Sequence, residues 1–213
     1  MATAPTTCQP PDPFDSATLK QACIDVAKSA GGDIVSNQIE VLRLRPGHPK
    51  PSDCPTHLVY IFLLSDKALK VGNTDDKTGK RISDNYNLKK PGTLAYNIWE
   101  YPKQITRLPD CSQEIKADIE RLQREWAGCE VDTRKKHMRS WMQEKLGLVI
   151  LKFDKKTDGK LLDLIEQHFQ CSLKPVFEGD NQGYKSAKRD ITQEEWDRKL
   201  AKLAATLMPK SKP

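Results

Sequence analysis

Seven consecutive apolar residues, Leu58-Val59-Tyr60-Ile61-Phe62-Leu63-Leu64, constrain this chain more than any other feature. The run is far shorter than the roughly 20 apolar residues of a membrane span, and its β-branched and aromatic content favours a strand. In a strand, Tyr60, Phe62 and Leu64 share one face while Val59, Ile61 and Leu63 take the other. Both faces then need cover, so the run predicts a central strand between layers. A second β-rich run at 68 to 71 follows Ser65-Asp66-Lys67 and predicts a tight hairpin closed by Gly72.

The segments on either side supply that cover. DSATLKQACIDVAKSAGG carries apolar residues at helical spacing and a Gly31-Gly32 stop, and IEVLRLRP alternates like a half-buried strand. The Pro-rich stretch PGHPKPSDCP then marks residues 1 to 56 as an N-terminal extension to a main domain at 57 to 179. Inside that domain a helix is predicted from Lys77 to Tyr86, another helix or turn in LAYNIWEY, and a helical insertion over about 102 to 146. The insertion holds two helices separated at Gly128. LGLVILKF at 146 to 153 is the next strand, and DGKLLDLIEQHFQ a helix. Residues 180 to 213 form a tail in which Trp196, Leu200, Leu203 and Leu207 recur at helical spacing behind a Thr192 cap. The expected fold is α/β of the α+β kind: a small, mainly antiparallel central sheet flanked by helices.

Length and charge narrow the function classes. With 213 residues the chain can build one sizeable core with appendages. No stretch approaches a membrane span, and the N-terminus lacks the pattern of a secretory signal, so a cytoplasmic location with no membrane partner is expected. The six cysteines are scattered without a C-x-x-C pair, which suits free thiols. The net charge is +6, and the basic residues cluster: nine between 67 and 107, including Lys77, Lys80, Lys89 and Lys90, against four acidic ones. Arg134, Lys135, Lys136 and Arg139 form a second cluster in TRKKHMRS. Such patches are the footprint of a polyanion, and a solvated lysine-rich surface produces the same pattern.

The hairpin and the helix after it resemble the GIY-YIG endonuclease family. Leu58-Val59-Tyr60 stands where the family has G-I-Y, Lys70-Val71-Gly72 where it has Y-I-G, and Arg81 falls on the helix where the family places an arginine. Further on, Glu166, Phe169 and Pro175 reproduce the spacing of the family's glutamate motif. The chain departs from the pattern at the first glycine, at Lys70 in place of tyrosine, and at Glu178 in place of the terminal asparagine. Asn85 occupies the usual histidine or tyrosine position one turn after the arginine, with Tyr86 next to it as a substitute.

The resemblance implies a divalent-metal-dependent DNA endonuclease, of restriction or defence type. It implies that Tyr60 acts as or assists the general base, that Lys70 and Arg81 supply positive charge, that Tyr86 assists, and that Glu166 holds one Mg²⁺ or Mn²⁺ per active site. The basic residues named above would contact DNA, and double-strand cutting would favour a homodimer. Two other functions remain open on the sequence: a catalytically inactive nucleic-acid-binding protein of the same fold, and a protein-interaction module docking through the C-terminal helix.

Overall fold

The computed structural model describes residues 12–48, 57–65, 67–74, 80–88, 93–100 and 113–177, together with 192, 194–195, 197–198 and 201–202. Four strands, β1 (Ile39–Leu44), β2 (Leu58–Leu64), β3 (Lys67–Thr74) and β4 (Leu146–Phe153), form one antiparallel sheet in the order β1-β4-β2-β3. The apolar run is β2, an inner strand buried at all seven positions. Its two faces do divide as alternation requires. Leu58, Tyr60, Phe62 and Leu64 enter one core cluster, and Val59, Ile61 and Leu63 the other.

Helices cover both faces, giving three layers. The first face carries α2 (Lys80–Asp84), α3 (Leu94–Glu100), α4 (Gln113–Ala127) and α5 (Val131–Lys145), which contribute Ile82, Leu94, Ile98, Trp126 and Met142 to its core. The second face carries α1 (Ser16–Ser29) and α6 (Gly159–Leu173). Both second-face helices start at an aspartate that takes the place of a missing helical acceptor. Asp15 accepts from the Ala17 and Thr18 amides, and Asp158 from Lys160. On α6 the apolar arc of Leu161, Leu162, Leu164, Ile165 and Phe169 is buried and His168 on the same arc is half-buried, while Gln170, which a spacing of about 100° per residue puts on the opposite side, is buried as well.

The N-terminal segment is built into the domain and does not extend from it. β1 pairs with β4 from Ile39↔Phe153 to Leu44↔Leu148, and Leu19, Cys23, Val26 and Ala27 of α1 share the second-face core with α6. The physical reason lies in β4, which is apolar on both faces and would otherwise form a bare edge.

The opposite edge, β3, is covered differently. After α6 ends at Lys174 in the left-handed conformation, the Val176 and Phe177 amides donate to the carbonyls of Ala68 and Leu69 at 3.2 and 2.8 Å. The chain thereby wraps the β3 edge and delivers Phe177 into the first-face core, where it is fully buried. Leu69 is the extra residue of a bulge facing Phe62 and Leu63, and it turns into the same core.

In the tail, Thr192 Oγ1 accepts from the Glu195 amide at 3.2 Å while Glu195 Oε2 accepts from the Thr192 amide at 3.1 Å, a reciprocal cap. Trp196, Leu200, Leu203 and Leu207 lie outside the described residues. No helix among the described residues is long and apolar enough to cross a membrane. Cys23 and Cys129 are free thiols, and burial pushes the Cys23 thiol up to about 12.

Candidate functional site

Tyr60 sits opposite Gly72 in the β2–β3 register. Its ring lies across that glycine: a Cβ built on Gly72 would stand 2.3 Å from Tyr60 Oη and 2.4 Å from Cζ. Gly72 does not have a positive φ, so close approach of the ring, and not a special backbone conformation, requires glycine here. The last residue of the K-V-G triplet and the last of L-V-Y thus form one packing unit.

The Tyr60 hydroxyl accepts a hydrogen bond from Asn85 Nδ2 at 3.0 Å, in a buried setting. The same nitrogen donates to the Arg81 carbonyl at 3.0 Å, and Asn85 Oδ1 accepts from the Leu94 amide at 3.1 Å. One side chain therefore ties the central strand to α2 and to the start of α3. Arg81, four residues earlier on α2, keeps its own side chain exposed. Lys70 pairs with Phe62, so it lies on the same sheet face as Tyr60, and it is 8% exposed.

Tyr86 occupies a different place from the one its neighbouring position suggested. It follows the end of α2, is 1% exposed, and meets Phe62 edge-on at 5.8 Å, while Phe62 meets Tyr60 the same way at 5.8 Å. Asn85 is the residue that reaches the Tyr60 hydroxyl. The sequence offered one signal for it: Asn85 stands four residues after Arg81, at the position where the pattern described above has a histidine or tyrosine.

Glu166 belongs to the other layer. It is half-buried on α6, and its Oε1 accepts from Gln170 Nε2 at 2.9 Å. One turn earlier, Asp163 Oδ1 accepts from Asn73 Nδ2 at 2.7 Å, which pins α6 to the strand beside Gly72. Because residues 176 and 177 bond to 68 and 69 at the far end, α6 runs antiparallel to β3. Tyr60, Gly72, Asn85 and the helix of Arg81 are brought together directly, whereas Glu166 stands on α6, which packs on the opposite face of the sheet.

Among the described residues no group of three or more His, Cys, Asp or Glu side chains is arranged to hold a metal. The donor set here is a single carboxylate. A single carboxylate can hold Mg²⁺ only together with several waters and substrate phosphate oxygens.

The basic segment of α5 is only partly available to a ligand. The Arg134 guanidinium lies 5.2 Å over the Trp99 ring, which stacks on Trp126 at 6.5 Å, and His137 tilts against Trp126. Arg134 is thus part of the packing between α3, α4 and α5. Lys135 pairs with Asp132 at 2.8 Å. Lys136 and Arg139 are exposed, as is Lys80 on α2, whereas Lys77, Lys89 and Lys90 lie outside the described residues, as does Glu178. His168, on the apolar arc of α6, is pushed below the usual imidazole range by burial, against an upward pull from the Asp25 carboxylate.

No protein-family model matches the chain, and no curated protein or solved structure matches it significantly.

Proposed function

We propose that the domain is a divalent-metal-dependent DNA endonuclease of the GIY-YIG kind. The observation that carries the reading is the close unit of Tyr60, Gly72 and Asn85, joined to the helix that presents Arg81. It ties two separated motif triplets and the arginine position into one physical object.

In this reading the exposed Arg81 guanidinium binds the scissile phosphate and offsets charge that develops as the attacking oxygen adds. Lys70 supplies positive charge on the same face, favouring the deprotonated form of a phenol. Tyr60 accepts the proton of the attacking water once substrate binding has opened a path to its hydroxyl. Glu166 would hold Mg²⁺ or Mn²⁺, whose Lewis acidity stabilises the leaving oxygen. Lys80, Lys136 and Arg139 would contact the DNA backbone, and a homodimer would allow one site per strand in a restriction or defence role.

One observation favours a second reading. Tyr60 is 1% exposed and bonded to an amide, which neither takes nor relays a proton readily. A nucleic-acid-binding protein that keeps the fold without cutting accounts for that burial. Supercoiled and linear DNA incubated with Mg²⁺ or Mn²⁺ separates the two. Cutting that falls at least ~100-fold in Glu166→Ala and Arg81→Ala is expected for the nuclease. Salt-sensitive binding without metal-dependent cutting identifies the second. Full metal-dependent activity in Glu166→Ala would overturn the site assignment.

A further inference from the structure

Where β1 and β2 end and β4 begins, residues 43 to 46, Leu63, Ser65 and Gly147 line an open cleft of about 420 Å³. That volume is within the range of about 300–1,000 Å³ typical of ligand sites. The ionic groups lining it are the guanidiniums of Arg43 and Arg45, and no carboxylate among the described residues lines it. Asp12 holds Arg43 Nη1 at 2.9 Å from outside the lining, which leaves the fork oriented and part of its charge offset. Arg45 is exposed and has no ion pair among the described residues.

Local structure keeps the cleft open. A Cβ built on Gly147 would stand 3.4 Å from the Leu44 carbonyl oxygen, 3.7 Å from Leu63 Cβ and 3.8 Å from Pro46 Cδ, so a larger residue there would grow into the space. The turn carrying Arg45 and Pro46 is anchored by the Gly47 amide, which donates to the Gln143 carbonyl at 2.7 Å, with Gly47 at φ +90°. Ser65 adds a hydroxyl to the lining.

Two planar cationic forks, a hydroxyl and no lining acid among the described residues make a site for an oxyanion, and guanidinium geometry matches phosphate oxygens in pairs. We infer that this cleft binds a phosphate group, carried either by a small phosphate or by the backbone of a nucleic-acid strand. The inference is independent of the roles given to Tyr60 and Glu166.

The test follows the Arg45 side-chain Nε–H signal and the Ser65 and Gly147 amides of the ¹⁵N-labelled full chain by NMR. Separate titrations use inorganic phosphate, pyrophosphate and a short single-stranded oligonucleotide lacking terminal phosphates. Saturable shifts are expected, with affinity at least about tenfold weaker in Arg45→Ala and in Gly147→Val. Lys28→Ala, which removes an exposed charge on α1, should leave it unchanged. Arg45 lies on an exposed turn, so its variant carries the test even where Gly147→Val perturbs folding. Response to pyrophosphate alone assigns a small phosphate ligand, and response to the oligonucleotide alone assigns a nucleic-acid backbone. Shifts with none of the probes, or affinity indifferent to Arg45→Ala, would overturn the inference. The cutting assay with Glu166→Ala does not depend on this cleft, so the two readings fail separately.

Discussion

At the scale of single residues, the contact between Tyr60 and Gly72 is the most demanding in the domain. Gly72→Ala would drive a methyl into the ring and its hydroxyl, forcing Tyr60 off its rotamer and off Asn85. Overpacking of this kind costs about 1–3 kcal/mol. Loss of a buried hydrogen bond adds about 1 kcal/mol, so denaturant unfolding should show a loss of at least ~2 kcal/mol. In the double variant with Tyr60→Val the penalty should be smaller than the two single penalties together, because the clash has gone. A loss below about 0.5 kcal/mol in Gly72→Ala would mean that the ring moves freely. His168 supplies a pH dependence. Its folded pKa lies below the usual 6.5, so the unfolded chain binds more protons in the window beneath that value. The histidine's contribution is complete above about pH 6.5 and is lost as pH falls toward the folded pKa. Melting temperatures taken from pH 7.5 down to 5 should decline, and His168→Gln should decline less steeply. Equal slopes would remove His168 as the cause.

Elements are where the sequence was most legible. The two-faced apolar run of β2 and the break at Gly128 each follow from one local pattern, and the structure repeats them; on α6 the apolar residues from Leu161 to Phe169 are buried, but so is Gln170, which periodicity alone would expose. Asn85 was harder to read, because its value comes from a tyrosine 25 residues away and an amide nine residues on. Arg134 was hidden for a similar reason. A basic cluster looks like surface until Trp99 from another helix is known to lie beneath it. The wrap after α6 was also invisible, since no periodicity announces that residues 176 and 177 will bond to a strand edge. Phe177→Ala tests that wrap. The side chain is fully buried, so its removal should cost about 3–5 kcal/mol in denaturant unfolding. A cost near 1 kcal/mol would show that the segment adds cover but little stability.

On the scale of the whole molecule, the boundary suggested by the Pro-rich linker cuts through one sheet and one core. A chain beginning at residue 57 would lose β1 and α1, baring one edge of β4 and the α6 side of the second core. Such a chain should unfold without a sharp transition and bind a hydrophobic dye, whereas the full chain should unfold cooperatively. A sharp two-state transition in the shortened chain would restore the N-terminal segment to the status of an appendage. The linker misled because proline content reports local stiffness and not which strand will pair with which.

The wrap over β3 also bears on how the protein behaves when crowded at high concentration. With the Ala68 and Leu69 carbonyls already bonded to residues 176 and 177, a strand from another molecule finds those two acceptors taken. At the opposite edge, β1, the exposed charges of Glu40 and Arg43 discourage a second copy from stacking in fibril-like fashion.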